Sequence, residues 1–323
     1  MSLTLSEIQA ITDDIWLPNV QDNWSKGNVL MFKLLGKVEK VGSGEKFRAP
    51  LEHARARGGA FGASSLFNTA KKEVINAARF DWSYFYTNLT YDIDDEVQIS
   101  GGDAEVDALL TKLNNAQNSL RDYMGDALWM SYSDAQTEYG GETKPWYGIP
   151  DLMNQTGTTA YGGIQPDDLT DDDGNSIWLA YVDSSALTMS FETMQSLRRG
   201  CSVNNNADGK PDLYVTTTAL KDAFENSLQA QQRFADEDMV KAGFDNIKFG
   251  SRGVVVDDDK CTSGYVNAFN MAFVKFRAHR DKFFAGPVWK EPTNQPLKTS
   301  QIIFAGGFYT NQRRAHGQLQ SVS

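Results

Sequence analysis

Residues His53 to Asp94 read HARARGGAFGASSLFNTAKKEVINAARFDWSYFYTNLTYDID. The first half is rich in glycine, alanine, serine and arginine and poor in large apolar side chains. It cannot build a core and predicts a projecting loop. The second half places Phe80, Trp82, Tyr84 and Tyr86 at alternate positions, the period of a strand with one aromatic face. Upstream, Lys37 to Pro50 (KVEKVGSGEKFRAP) reads as a strand, a Gly-Ser turn and a second strand. Strand-forming flanks around a glycine-rich basic tip predict a long hairpin that reaches well beyond the body carrying it.

The neighbouring segments fit such a projection. Residues 1 to about 35 read as an arm. Ser6 and Glu7 open a short helical stretch, Pro18 ends it, and Trp16, Leu17, Trp24, Leu30, Met31 and Phe32 are apolar anchors in a segment too short for its own core. Such an arm needs a partner surface. On the other side, residues 103 to 131 carry Val106, Leu109, Leu110, Leu113, Leu120, Tyr123, Met124, Ala127 and Leu128 at helical spacing. Asp103 and Glu105 sit where negative charge favours a helix start. A helix of ~28 residues is ~42 Å long at the usual rise, which predicts a spine with the rest of a domain laid along it. A Gly-Pro-rich passage follows and marks a crossover. After it, SALTMSFETMQSLRR (185–199) reads as a helix, DLYVTTTA (212–219) as a strand and LKDAFENSLQAQQRF (220–234) as a helix. GVVVDD (253–258) reads as a buried strand, SGYVNAFNMAFVKFR (263–277) as one or two strands, and QIIFAGGFYTNQRRAHGQ (301–318) as a strand with a glycine break and a basic end.

The chain has 323 residues, of which 41% are hydrophobic and 11% aromatic, enough for one large domain or two ordinary ones. Cys201 and Cys261 lie far apart without a metal or redox spacing and fit a reducing compartment. No run of apolar residues is long enough to span a membrane. The N-terminus lacks the basic start and apolar stretch of a signal peptide, so the expected site of synthesis and use is a cytoplasm. The net charge of -11 disfavours a tight grip on nucleic acid. That charge is uneven. Arg48 to Arg79 holds six cations and two acids, Asp92 to Asp107 holds seven acids and no cation, and Lys275 to the end holds eight cations and two acids. Copies of the chain could therefore set basic blocks against acidic ones.

Motifs for chemistry are missing from this pattern. His53, His279 and His316 are scattered between a loop, a strand and the C-terminal tail. No nucleophile elbow or H-E-x-x-H occurs, and VGSGEK (41–46) lacks the spacing of a phosphate-binding loop and reads as a tight turn. Asn204, Asn206, Asp208 and Gly209 match half of a calcium loop, but Val215 stands at the bidentate position; this stretch and Asp171–Gly174 read as acidic turns. The adjacent carboxylates of VVVDDDK and FADED read as solvated. No catalytic, cofactor-binding or metal-binding residue is expected.

Five stretches, in order, resemble the tailed-bacteriophage major capsid protein family with the Hong Kong 97-type fold. They are the arm, basic hairpin and spine of residues 1–131; Tyr161-Gly162-Gly163-Ile164 followed by Trp178; Lys210–Thr217 opening a helix; Gly253–Asp258 followed by Tyr265 and Asn267; and Phe308–Leu319, FYTNQRRAHGQL, similar to a closing strand with N-R-R, here with Gln312 inserted. The resemblance implies an α+β fold with an N-terminal arm (1–36), an extended β-hairpin loop (37–95), a peripheral domain with the spine helix (96–145), an axial domain (146–274) and returning peripheral strands (275–323). It implies pentamers and hexamers in an icosahedral shell around double-stranded DNA, held non-specifically on the inner face of a virion assembled in the host cytoplasm. Since the sequence begins almost directly with the arm, a separate scaffolding protein is implied, with portal and decoration proteins as further partners. The expected contacts between subunits use Trp16, Trp24, Arg55, Arg57, Lys71 and Lys72, the acids Asp92, Asp94, Asp95 and Asp103, and Arg313 and Arg314. Two rival readings stay open: an encapsulin-like nanocompartment shell, and a cytoplasmic enzyme with a carboxylate-based site.

Overall fold

The computed structural model describes residues 28–63, 65–92, 102–154, 160–171, 173–203, 209–228, 246–250, 252–285, 288–293 and 297–323, with backbone alone for 92 and 102–108. The first elements are α1 (Val29–Leu35), β1 (Glu39–Val41), β2 (Phe47–Glu52), β3 (Ile75–Phe80), β4 (Ser83–Asp92), α2 (Gly102–Trp129), α3 (Tyr132–Tyr139) and α4 (Ile149–Met153). Then come β5 (Tyr181–Asp183), α5 (Phe191–Gly200), β6 (Leu213–Thr216), α6 (Thr218–Ser227), β7 (Asn246–Phe249) and β8 (Gly253–Asp257). The chain closes with β9 (Val266–Phe269), β10 (Val274–His279), β11 (Leu297–Thr310) and β12 (Gly317–Leu319).

The alternation in the aromatic run is present, but its buried face is the other one. β3 buries Ala78 and Phe80, whereas β4 buries Phe85, Leu89 and Tyr91 and leaves Tyr84 and Tyr86 exposed. Asp81 and Trp82 break the run, because β3 and β4 belong to different sheets. A one-residue change of register sends every side chain of a strand to the opposite face, so the aromatic set could not stay on one side across the break.

β4 pairs antiparallel with β11 from Ser83↔Gly306 to Asp92↔Leu297. β11 continues along β10, which carries β1 in parallel on its far edge, giving the order β1-β10-β11-β4. The glycine break expected in β11 does not occur: the strand runs unbroken for 14 residues. Gly306 and Gly307 are there for close approach. A Cβ on Gly306 would lie 2.6 Å from the Arg277 carbonyl oxygen, and one on Gly307 would lie 2.5 Å from the Phe47 ring. The sheet's apolar face carries Phe85, Leu89, Phe276, Ile302, Phe304 and Phe308, and the spine α2 contributes Leu109, Leu113, Leu120, Met124 and Leu128 to the same core. Their spacing of three or four residues, or sums of these, keeps them on one side of the helix, and each such buried side chain adds roughly 1.5–3 kcal/mol.

The second sheet has the order β5-β12-β9-β6-β8-β7. Val254, Val255 and Val256 of β8 are all buried because both faces of this sheet are covered. Val255 joins Met194 and Leu197 of α5 and Phe224 of α6, while Val254 and Val256 belong to the core shared with the spine. α5 begins only at Phe191, where Ser190 accepts the Thr193 N–H at 3.2 Å; the stretch before it is not helical.

Sheet membership redraws the expected division. β1 and β4 fall within the 37–95 segment expected to be all extended loop, yet both lie in the four-stranded sheet. β12, expected with the peripheral strands, pairs instead with β5 and β9 of the six-stranded sheet. The chain thus crosses between sheets twice near its end, from β9 to β10 and from β11 to β12.

The two crossings are fastened together. His316 Nδ1 accepts the Asn270 N–H at 3.2 Å, which leaves the proton of the neutral ring on Nε2 to donate to Thr310 Oγ1 at 2.8 Å. The Thr310 hydroxyl in turn donates to the Phe273 carbonyl at 3.1 Å. Burial, followed by the charge of Arg313, pushes the His316 pKa down to about 3. Arg313 is wholly enclosed. Its Nε donates to the Leu152 carbonyl at 3.0 Å, Nη1 to that of Trp178 at 2.9 Å, and Nη2 to those of Asp151 and Asn154 at 3.2 and 2.6 Å. The guanidinium also lies 5.0 Å from the Tyr161 ring centroid. It caps the C-terminal end of α4, while Asp151 caps the start by accepting the N–H groups of Gly148 and Tyr132 at 3.1 and 2.7 Å.

α1 seats the start of the described chain. Leu30 and Met31, expected among the arm's anchors for a partner surface, are buried in the subunit's own core. Asn28 accepts the Met31 N–H at 2.8 Å. Asp258 Oδ1 accepts the Lys260 N–H at 3.0 Å. The N–H groups of Val29 and Leu30 lie close enough to lower the pKa of Asp258, although Oδ2 has no partner in hydrogen-bond geometry. Lys260 Nζ reaches Asp126 of the spine at 2.5 Å. Burial outweighs these contacts and raises Asp258 to about 6, as it does Asp151.

Two outcomes follow from these buried groups. Arg313→Met leaves four carbonyls without a donor and should cost the soluble subunit about 3 kcal/mol or more in urea unfolding; an unchanged midpoint would remove Arg313 from its role as fastener. For Asp151 and Asp258 the folded pKa is above the unfolded one, so their contribution to stability is full below about pH 4 and is lost as pH rises through about 6. Asp258→Asn should therefore flatten the fall in stability between about pH 4 and 6 relative to wild type, and parallel curves would show that Asp258 does not titrate there.

Candidate assembly surfaces

The hairpin β2–β3 runs in register from Phe47↔Phe80 to Glu52↔Ile75, and His53 N–H to the Val74 carbonyl adds one more rung. Its root is braced by aromatic contacts. Between ring centroids, Tyr309 of β11 lies 5.8 Å from Phe47 and 5.0 Å from Phe80, stacked on both, and Tyr161 meets Phe80 edge-on at 5.0 Å. Trp82 packs 4.4 Å from Phe47 and donates its indole N–H to the Gly44 carbonyl at 2.7 Å.

Tyr161-Gly162-Gly163-Ile164 supplies the rest of the seat. Tyr161 and Ile164 exchange backbone hydrogen bonds at 3.1 and 3.4 Å, and the Gly162 carbonyl accepts the Arg79 N–H at 2.8 Å. Gly162 and Gly163 both have positive φ, at 64° and 76°. A Cβ on Gly162 would lie 2.7 Å from the Phe80 ring, whereas one on Gly163 would meet nothing.

Beyond this root the 53–74 segment projects. It exposes 69% of Phe61, 99% of Leu66 and 70% of Phe67, with the Phe61 and Phe67 rings 5.2 Å apart. Arg55, Arg57 and Lys71 are exposed on the same segment and have no ion-pair partner among the described residues; Lys72 is half-buried. The apolar tip escaped the sequence reading because its three large side chains are diluted among glycine, alanine and serine.

The other expected interface residues are dispersed. Trp16, Trp24, Asp94 and Asp95 lie outside the described residues. Asp92 ends β4 opposite Leu297, and Asp103 lies in the first turn of α2, both described by backbone alone. Arg314 is exposed, but Arg313 is not an interface residue of this kind: its own chain encloses it and supplies every acceptor named above. An open groove of about 750 Å³ runs beside the edge strand β4, lined by Tyr86, Asn88, Asn115, Ser119, Tyr123 and Tyr139 among others. Burial pushes the Cys201 and Cys261 thiols well up, so neither is a thiolate at neutral pH. Asp171 accepts the N–H groups of Asp173 and Asn175 at 3.0 and 2.8 Å, an acidic turn as read; Asn204, Asn206 and Asp208 lie outside the described residues.

No family model matches the sequence, and no curated protein matches it. Solved structures do match the fold. The cyanophage A-1(L) capsid has a TM-score of 0.65 at 11% identity, with 92% of this chain and 94% of that one covered. The capsid of a native GTA particle gives 0.58 at 10%, and that of Myoviridae phage XM1 gives 0.54 at 12%, each with 90% of both chains covered. The chain therefore has a capsid-shell fold. Its spine, projecting hairpin and two sheets make it the Hong Kong 97-type α+β fold of tailed-phage major capsid proteins.

The adjacent glycines give a paired prediction. Gly162→Ala meets both a left-handed backbone and the Phe80 ring, and should lower stability by about 2–4 kcal/mol. Gly163→Ala meets only the backbone penalty, about 1 kcal/mol. Equal urea midpoints for the two variants would show that the turn does not seat the hairpin.

Proposed function

We propose that this chain is a major capsid protein whose copies assemble as pentamers and hexamers into an icosahedral shell enclosing double-stranded DNA, and that it is not an enzyme. The observation that carries this reading is the projecting hairpin. A two-stranded hairpin is marginal in water by itself, and an exposed cluster of large apolar side chains marks an interaction surface. Here Phe61, Leu66 and Phe67 stand in water beside Arg55, Arg57 and Lys71, which have no ion-pair partner among the described residues, on a chain of net charge -11. A neighbouring copy can cover the apolar tip and offer acids to the cations.

In this reading Arg55, Arg57, Lys71 and Lys72 face acids of adjacent subunits, Asp92, Asp94, Asp95 or Asp103 among them, and the arm with Trp16 and Trp24 lies on a neighbour. Arg314, exposed near the second crossing, joins them at the subunit boundary. Assembly takes place in the host cytoplasm around a separate scaffolding protein, with portal and decoration proteins as further partners and DNA held on the inner face without sequence preference. Charge complementarity of this kind sets the register and rate of association more than its strength.

Electron micrographs and sedimentation of the purified chain test the proposal. Megadalton closed particles containing nucleic acid are expected; particles containing protein cargo instead would favour a nanocompartment, and a small oligomer would overturn the shell. The variant Arg55→Glu/Arg57→Glu should keep the subunit's melting temperature and lower shell yield about tenfold or more. Wild-type yield from that variant would remove the cations of the tip from the interface.

A further inference from the structure

The hairpin register places Arg48 directly opposite Arg79. Both side chains are exposed, on the face turned away from Phe47, Ala49, Ala78 and Phe80, which are buried on the other face. Like charges directly opposite each other destabilise a strand pair, and the hairpin does not relieve this. Asp81, the nearest acid in the sequence, is paired with Lys46 at 2.9 Å. Glu52 lies four residues along β2, opposite Ile75. Neither arginine side chain has an ion pair or hydrogen bond with a described residue.

We propose that Arg48 and Arg79 form a two-armed seat for a carboxylate from a second copy of this chain. The proposal rests on the shell-forming function and adds a specific contact to it. Side chains directly opposite on an antiparallel pair start about 5 Å apart at Cβ, close enough for two guanidinium groups to converge on the two oxygens of one carboxylate. Their planar forks suit this better than lysine would. The face looks away from the subunit's own body, so the acceptor comes from outside. The chain itself is the fitting source, with 42 acidic residues against 31 Lys and Arg. Inserting a carboxylate turns a repulsive pair into a complementary trio, so the hairpin is better satisfied in the shell than in the free subunit.

The test separates this from a merely structural role. In Arg48→Glu the new acid pairs with Arg79 inside the subunit. The free subunit's melting temperature should then rise, by up to about 2 °C, while shell yield falls about tenfold or more. Arg48→Gln/Arg79→Gln should lose shell yield without losing melting temperature, and Arg48→Lys should keep most of the yield. Wild-type yield from Arg48→Glu or from the double variant overturns the proposal, and so does a lowered melting temperature in either. Closed but empty shells of Arg48→Glu in wild-type yield would assign the pair to phosphate and also overturn it. A wild-type chain that remains a small oligomer removes the shell reading together with this one.

Discussion

A single buried guanidinium holds the place where the two sheets meet. Removing Arg313 from water is costly, and no carboxylate among the described residues pairs with it directly. Four carbonyls and the face of Tyr161 replace its hydration instead. Burial lowers its pKa only to about 10, so it keeps its charge at neutral pH. Because those carbonyls come from α4 and from Trp178, the charge ties the chain's last crossing to the segment that follows the spine. The neutral His316 then fixes the neighbouring crossing by hydrogen bonds alone. Both sheets, the spine's end and the turn under the hairpin converge on this small polar knot.

The hairpin depends on that knot at one remove. Tyr161 stacks under Arg313 and also borders Phe80, and Trp178 donates its indole N–H to the Tyr161 carbonyl at 3.0 Å. The packed root and the exposed tip therefore divide the work. The root fixes direction through aromatic contacts and two glycines, while the tip exposes three large apolar side chains and the cations Arg55, Arg57 and Lys71, which have no ion-pair partner among the described residues.

Much of this was legible in the sequence, and the failures have identifiable causes. The spine could be read because apolar positions that recur every three or four residues over 28 residues have few other interpretations. The projecting hairpin could be read because a glycine-rich basic segment cannot form a core. The buried face of β4 was misread because nothing local shows that Asp81 and Trp82 interrupt the register. Arg313 was assigned to the surface because a charged residue beside another arginine is normally solvated, and its acceptors lie some 160 positions away in sequence. β12 was placed with the wrong sheet because three residues carry too little pattern to name their partner. The opposition of Arg48 and Arg79 required the hairpin's register, which its long irregular tip hides.

β11 gives the molecule a mechanical character. A pull on the projecting tip passes through β3 and the short link at Asp81–Trp82 into β4. β4 is bonded along its whole length to β11, which in turn ends at the Arg313 knot. Because β4 begins and β11 ends at the same end of that ladder, tension between the tip and the knot meets the Ser83↔Gly306 rung first and would open the ladder from there. The packed aromatic root and the polar knot therefore stand where a load on the hairpin is met first, and they, more than the length of the ladder, set how much force the projection can bear.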